Sequence, residues 1–228
     1  MRILSLLIIV AFAFAPLHGQ EQDTSYGAYD VRPYPATNVP ATPEAAEFIA
    51  LFEDSNVGNL RVYAHIDDEL PYSYPFKGKE IPEAYYEMFT GEYRDLLEDD
   101  MAYAYGIYSI KGNEAEHYLM RVPSSKGPNT IVLFDLNGEV MEPIQVLAYA
   151  YCKGDFCYQQ DSFLTDLDGD TDLDILTKFR RVDSKDEDTI VKNDIIFLQN
   201  DAGDYEMILD NDIRVNEDLY NMKEIEFE

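Results

Sequence analysis

Tryptophan is missing from the chain altogether, and histidine and cysteine are scarce, at three and two residues among 228. Beyond residue 20 the only histidines are His65 and His117, far apart and in no HExxH-type arrangement, so a zinc enzyme has no signature here. GxSxG elbows, Gly-rich phosphate loops and CxxC pairs are also lacking, which removes the sequence basis for serine-nucleophile, nucleotide and dithiol chemistry. Basic residues are few as well: 17 Lys and Arg stand against 45 Asp and Glu, for a formal charge of −28. Neutralising a nucleic-acid backbone or an anionic membrane surface takes clustered cations, and the one dense basic spot is Lys178, Arg180 and Arg181. Nucleic acid is therefore not an expected partner. Long apolar runs are absent after Leu17, so no later segment reaches the roughly 20 residues of a spanning helix.

What the chain does have begins with its first residues. Arg2 precedes a predominantly apolar run from Ile3 to Leu17, followed by small and polar residues. This is the layout of a secretory signal peptide over residues 1–20, with cleavage between Ala15 and Gln20. The competing reading is an uncleaved anchor. Export to a secreted or periplasmic location, with no membrane insertion after cleavage, is the expectation. Cys152 and Cys157 enclose KGDF, and in an oxidising compartment they are expected to form a disulfide across a turn.

From residue 21 to 42 the chain is polar and Pro-rich, with Pro33, Pro35 and Pro40, and reads as an extended linker. A single α+β domain is expected over 43–228. Thr42 before Pro43 supplies an N-cap and first-turn proline, and Ala45, Phe48, Ile49 and Phe52 then share a helical face until Asn56 and Gly58 end it. A second helical stretch starts near Pro82, with Tyr85, Met88, Phe89, Tyr93, Leu96 and Leu97 at helical spacing, and Gly91 divides it or leaves it as one piece.

Period-two patterning marks a strand at Leu60–Ile66 and others near 101–110, 116–122, 130–135, 144–151, 157–164, 173–182, 190–199 and 204–209. Hairpin-type turns at Gly112-Asn113, Asn137-Gly138 and Ala202-Gly203 point to successive antiparallel pairing. The expected fold class is α+β, with short N-terminal helices followed by a predominantly antiparallel β-sheet meander carrying one Asp-rich calcium loop. Eighteen tyrosines suit half-buried strand faces. A sugar-binding face is less expected without tryptophan.

That loop is Asp166-Leu-Asp-Gly-Asp-Thr-Asp-Leu-Asp174, five carboxylates between two apolar strand segments. Calcium, a hard cation, takes about six to eight oxygen ligands, and a tight loop with oxygens at alternate positions can wrap it. The expected ligands are the side chains of Asp166, Asp168, Asp170 and Asp174 with the backbone carbonyl of Asp172. The competing reading is a solvated acidic turn without metal. An EF-hand is excluded because Thr177 stands where the bidentate Glu belongs and Thr171 where its Gly belongs.

The loop resembles the calcium loop of FG-GAP or VCBS repeats, the blade units of integrin-α-like propellers, whose pattern is DxDGDxxxD followed by an apolar strand. Asp166, Asp168, Gly169, Asp170 and Asp174 match it, with Thr171 in place of the usual glycine. The resemblance covers about residues 166–176, extends in outline towards Tyr205, and occurs once. Asp135-Leu-Asn-Gly-Glu139 and Asn200–Asp204 read as ordinary turns. One copy implies metal binding and does not supply the blades of a propeller.

The function expected from these features is that of an exported, calcium-stabilised binding or structural protein with a protein or glycan ligand. The alternatives are a secreted calcium-dependent hydrolase or lyase, and an acidic inhibitor or masking partner of a basic protein. No catalytic residue is singled out.

Overall fold

A computed structural model describes residues 42–55, 58–66, 69–99, 101–111, 116–125, 128–183, 189–200, 203–208, 213 and 215–224. The signal-peptide reading, the linker apart from Thr42, the Gly112-Asn113 turn and Ala202 lie outside the described residues.

Helix α1 spans Pro43–Ile49, and the Thr42 hydroxyl accepts from the Ala45 N–H at 3.2 Å, as the Thr-Pro pair foretells. It stops at Ala50, short of the expected end at Asn56 and Gly58. Residues Glu53–Ser55 instead form strand β1, parallel to β4 (Tyr105–Lys111). The second helical stretch is two pieces, a 3-10 turn at Glu83–Met88 and α2 at Gly91–Glu98. Between them Phe89 is extended and Gly91 takes φ +57°, a left-handed value that favours glycine and divides the segment.

The remaining strands are β2 (Asn59–Tyr63), β3 (Lys79–Glu80), β5 (Glu116–Val122), β6 (Asn129–Asn137), β7 (Val140–Lys153), β8 (Phe156–Thr165), β9 (Asp174–Asp183), β10 (Thr189–Gln199) and β11 (Tyr205–Ile208). From β4 to β11 each strand pairs antiparallel with the next. The turn between β6 and β7 sits one residue later than expected: Asn137 pairs with Val140, and Gly138, at φ +69°, leads the two-residue connection. Asn200 N–H donates to Asp204 O at 2.8 Å.

Two departures from a simple meander shape the molecule. The hairpin of β7 and β8 pairs only near its tip, Tyr149–Lys153 with Phe156–Gln160. Farther along, β2 pairs antiparallel with Asp161–Thr165 of β8. At the tip Cys152 and Cys157 face each other in register and form the expected disulfide, with Cα atoms 4.0 Å apart. Closing so short a loop contributes about 2 kcal/mol in the chain-entropy account.

Strands β5 and β6 are buried on both faces. Tyr118, Met120, Val122, Val132, Phe134 and Leu136 meet α1, the 3-10 turn and α2 in one apolar cluster. Leu119, Ile131 and Leu133 point the other way, into a cluster with Val62 of β2, Leu147 of β7, Leu164 of β8 and Ile175 of β9. The alternation of Cβ directions along a strand thus feeds two cores from one pair of strands.

Candidate metal centre

The Asp-rich segment is the loop that joins β8 to β9. Its base is a strand pair, Thr165 opposite Asp174, and its return is anchored by Leu173 and Ile175 in the second apolar cluster. Within the loop the carboxylates fold back onto backbone N–H groups. Asp166 accepts from Gly169 at 2.6 Å and Thr171 at 3.2 Å, Asp168 from Asp170 at 3.2 Å, and Asp170 from Asp172 at 2.9 Å. Short side chains that capture N–H groups two to five residues on are what hold so acidic a turn closed.

Asp174 is different in kind. It is fully buried, and it accepts from Leu167 N–H at 2.8 Å and from Gln199 N–H on β10 at 3.0 Å. One carboxylate therefore ties the start of the loop to the neighbouring strand. Burial, reinforced by the negative charges of Asp168 and Asp170, pushes its pKa up to about 6 against the lowering effect of its two N–H donors. Burial also raises Asp168, and the carboxylates of Asp170 and Asp166 add to the shift against the lowering effect of the Asp170 N–H. The Tyr205 phenol is raised first by burial and then by Asp174 and Asp172.

Of the four carboxylate side chains expected as ligands, the fold brings three together. Asp166, Asp168 and Asp174 each offer an oxygen, and these oxygens lie within 4.8 Å of one another. That span fits oxygens sharing an ion at about 2.4 Å each. A triad of carboxylates from both ends of the loop, two exposed and one buried, could thus hold a metal ion. The exposed Asp170 carboxylate stands outside the triad, and the Asp172 side chain is buried. His117, assigned no role from sequence, meets the side chain of Gln199, the residue whose N–H Asp174 holds: its Nε2 is 3.0 Å from Gln199 Nε2, and burial lowers its pKa.

Two left-handed residues shape the turn, Gly169 at φ +91° and Thr171 at φ +80°. Glycine adopts this region freely, whereas a β-branched residue is strained there. Replacing Thr171 by Gly should raise stability by about 1 kcal/mol, read as a higher urea midpoint in calcium and in chelator alike. A lower midpoint in both would show that the threonine side chain contributes more than its backbone costs.

Comparison of the chain with family models, with curated proteins and with solved structures finds no match.

Proposed function

We propose that the protein is an exported, non-enzymatic binding or structural module whose β-domain is stabilised by one Ca²⁺ held in the β8–β9 loop. The observation that carries this reading is the convergence of Asp166, Asp168 and Asp174. An all-carboxylate donor set suits a hard cation, and calcium's loose geometry suits a loop that leaves part of the shell to backbone oxygens and water. The likeness to the FG-GAP calcium loop points the same way.

Export is supported by the leader-like residues 1–20 and by the Cys152–Cys157 disulfide, which is consistent with an oxidising compartment. No helix among the described residues is long and apolar enough to cross a membrane. A hydrolase or lyase would want a cleft beside the loop. The two clearest clefts among the described residues are lined instead by Glu83, Tyr86, Arg94 and their neighbours, and by Glu53, Lys77, Gly106 and theirs.

The test is thermal melting of the exported form in calcium, magnesium and chelator, with Asp168→Ala alongside. A ligand specific for the folded state adds about 2.7 kcal/mol at a hundred times its Kd, which for a chain of this size raises Tm by roughly 5–10 °C. Calcium should produce that rise, magnesium less, and Asp168→Ala should abolish it, with only a small fall of Tm in chelator from losing the exposed bond to Asp170 N–H. Identical curves in all conditions would return the loop to a solvated acidic turn.

A further inference from the structure

The interior strand β8 carries polar residues that a buried strand has no local reason to keep. Gln159 and Asp161 are buried, Asp161 completely, on the face of β8 that also bears Phe163. Strand pairing places Arg180 of β9 across from Gln159, Lys178 across from Asp161, and Tyr63 and Arg61 of β2 across from Asp161 and Phe163. Arg180 Nε donates to Gln159 Oε1 at 2.7 Å, and Gln159 Nε2 donates to Asp161 Oδ1 at 2.7 Å. Lys178 pairs with Asp194 at 3.1 Å. The cations that stood out in an acidic chain, Lys178 and Arg180, thus join Arg61 on one face, while Arg181 turns away over the Phe156 ring.

The C-terminal segment lies on this face, and it is held chiefly by its main chain. Lys223 N–H donates to Asp161 Oδ2 at 2.6 Å. Lys223 C=O accepts from Gln159 Nε2 at 2.8 Å and from Arg180 Nη2 at 3.0 Å. Arg61 Nη1 donates to Asn221 C=O at 3.1 Å. The side chains add a Tyr220 ring set edge-on to Phe163 at 5.2 Å and the Lys223 ammonium over the Tyr63 ring at 5.8 Å. Asp161 is a buried carboxylate whose two acceptor contacts are Gln159 and this tail, so a peptide N–H there satisfies a group that burial would otherwise penalise.

We infer that Arg61, Gln159, Asp161, Phe163 and Arg180 form a binding site for an extended peptide, occupied in cis by residues 220–223. Asp161 takes a peptide N–H, Gln159 with Arg180 takes the C=O of the same residue, Arg61 takes a C=O two residues earlier, and Phe163 meets an aromatic ring three residues earlier. Main-chain reading of this kind admits many sequences, with side chains setting preference at one or two positions. The cationic rim adds a preference for acidic peptides, and the tail's sequence is in keeping, with Asp218 and Glu224 on either side of the gripped residues. The ligand class is therefore an extended acidic peptide with an aromatic residue, and the tail is a displaceable strap. This site is separate from the calcium loop, and its test is run in chelator as well as in calcium.

The experiment uses the full chain carrying Lys223→Pro, which deletes the N–H given to Asp161, with Lys223→Ala as the variant that keeps it. A fluorescein-labelled synthetic peptide of residues 215–224 is titrated by anisotropy. Lys223→Pro should bind it at least tenfold more tightly than wild type or Lys223→Ala, whose sites are filled in cis. Adding Asp161→Asn, or placing Lys223→Pro in the peptide, should abolish the gain, and binding should weaken severalfold between about 50 and about 500 mM NaCl. A folded Lys223→Pro chain that ignores the peptide overturns the site, and equal gain from Lys223→Ala overturns its main-chain basis. Should Lys223→Pro fail to fold, hydrogen exchange on the wild type decides. A Lys223 amide that is protected, yet opens at least tenfold faster than those of β8, supports the strap. Exchange only with global unfolding, or no protection, overturns it.

Discussion

Replacing Asp174 by alanine is expected to cost about 3 kcal/mol of stability in chelator, before any metal is involved. The carboxylate is fully buried and accepts from two backbone N–H groups, Leu167 at the start of the loop and Gln199 on β10. Each buried donor left without an acceptor costs roughly 1–3 kcal/mol. The Leu167 N–H is only part-buried and is able to recover a water, whereas the Gln199 N–H is enclosed, so the sum falls near the middle of the range. Part of the loss is offset, because burial and the charges of Asp168 and Asp170 already disfavour the ionised form of Asp174. Asp174→Asn separates the two roles: it keeps one acceptor for Gln199 N–H, sets its amide NH2 against Leu167 N–H, removes the charge, and should cost about 1–2 kcal/mol in chelator, less than Asp174→Ala, while losing most of the calcium response. Urea titrations of both variants with and without calcium read this directly. Wild-type stability of Asp174→Ala in chelator would contradict the tie to β10, and an undiminished calcium shift in Asp174→Asn would contradict coordination.

The two roles of Asp174 also show where sequence reading reached and where it stopped. Spacing alone was enough to place Asp166, Asp168 and Asp174 at one point, because a tight loop between paired strands must bring its two ends together. It could not separate the Asp170 carboxylate from that group, since each side chain's direction depends on which N–H the neighbouring carboxylates capture and on the left-handed turn at Thr171. Strands such as β5 and β9 were legible because seven and ten residues carry a sustained run of apolar positions. β1 and β3 were not: three and two residues carry no period, and β1 pairs in parallel with a partner far along the chain. The placement of β2 against the far half of β8 is likewise a long-range choice that hairpin signals do not encode. The peptide-gripping face did leave a trace, in the run Gln159-Gln160-Asp161-Ser162 inside an apolar strand. A polar run in a buried strand asks for a partner, and that question is answered only when the tail is seen on it.

Phe134→Ala should be among the most damaging single substitutions in the chain, at about 3–5 kcal/mol. Phe134 is fully buried on β6, where it meets Phe89 edge-on at 5.8 Å and Tyr93 of α2 at 5.2 Å. It thus fills the seam between the helical layer and the sheet, and a large cavity there has the sheet backbone on one side, which limits collapse. Its neighbour Leu133 faces the opposite cluster, so Leu133→Ala, at about 2–5 kcal/mol, opens a cavity of comparable consequence on the other side of the same strand. If β5 and β6 couple the two cores, both variants should lower one cooperative transition, with tyrosine fluorescence and far-UV circular dichroism moving together. The helical layer is the more exposed party: α2 is short and buries only Leu97 fully, so its amides should exchange faster in Phe134→Ala than in Leu133→Ala at equal global stability. Separate transitions for the two probes, or equal exchange of α2 in both variants, would show that the two clusters are independent and that Phe134 does not carry the grip of the helices on the sheet.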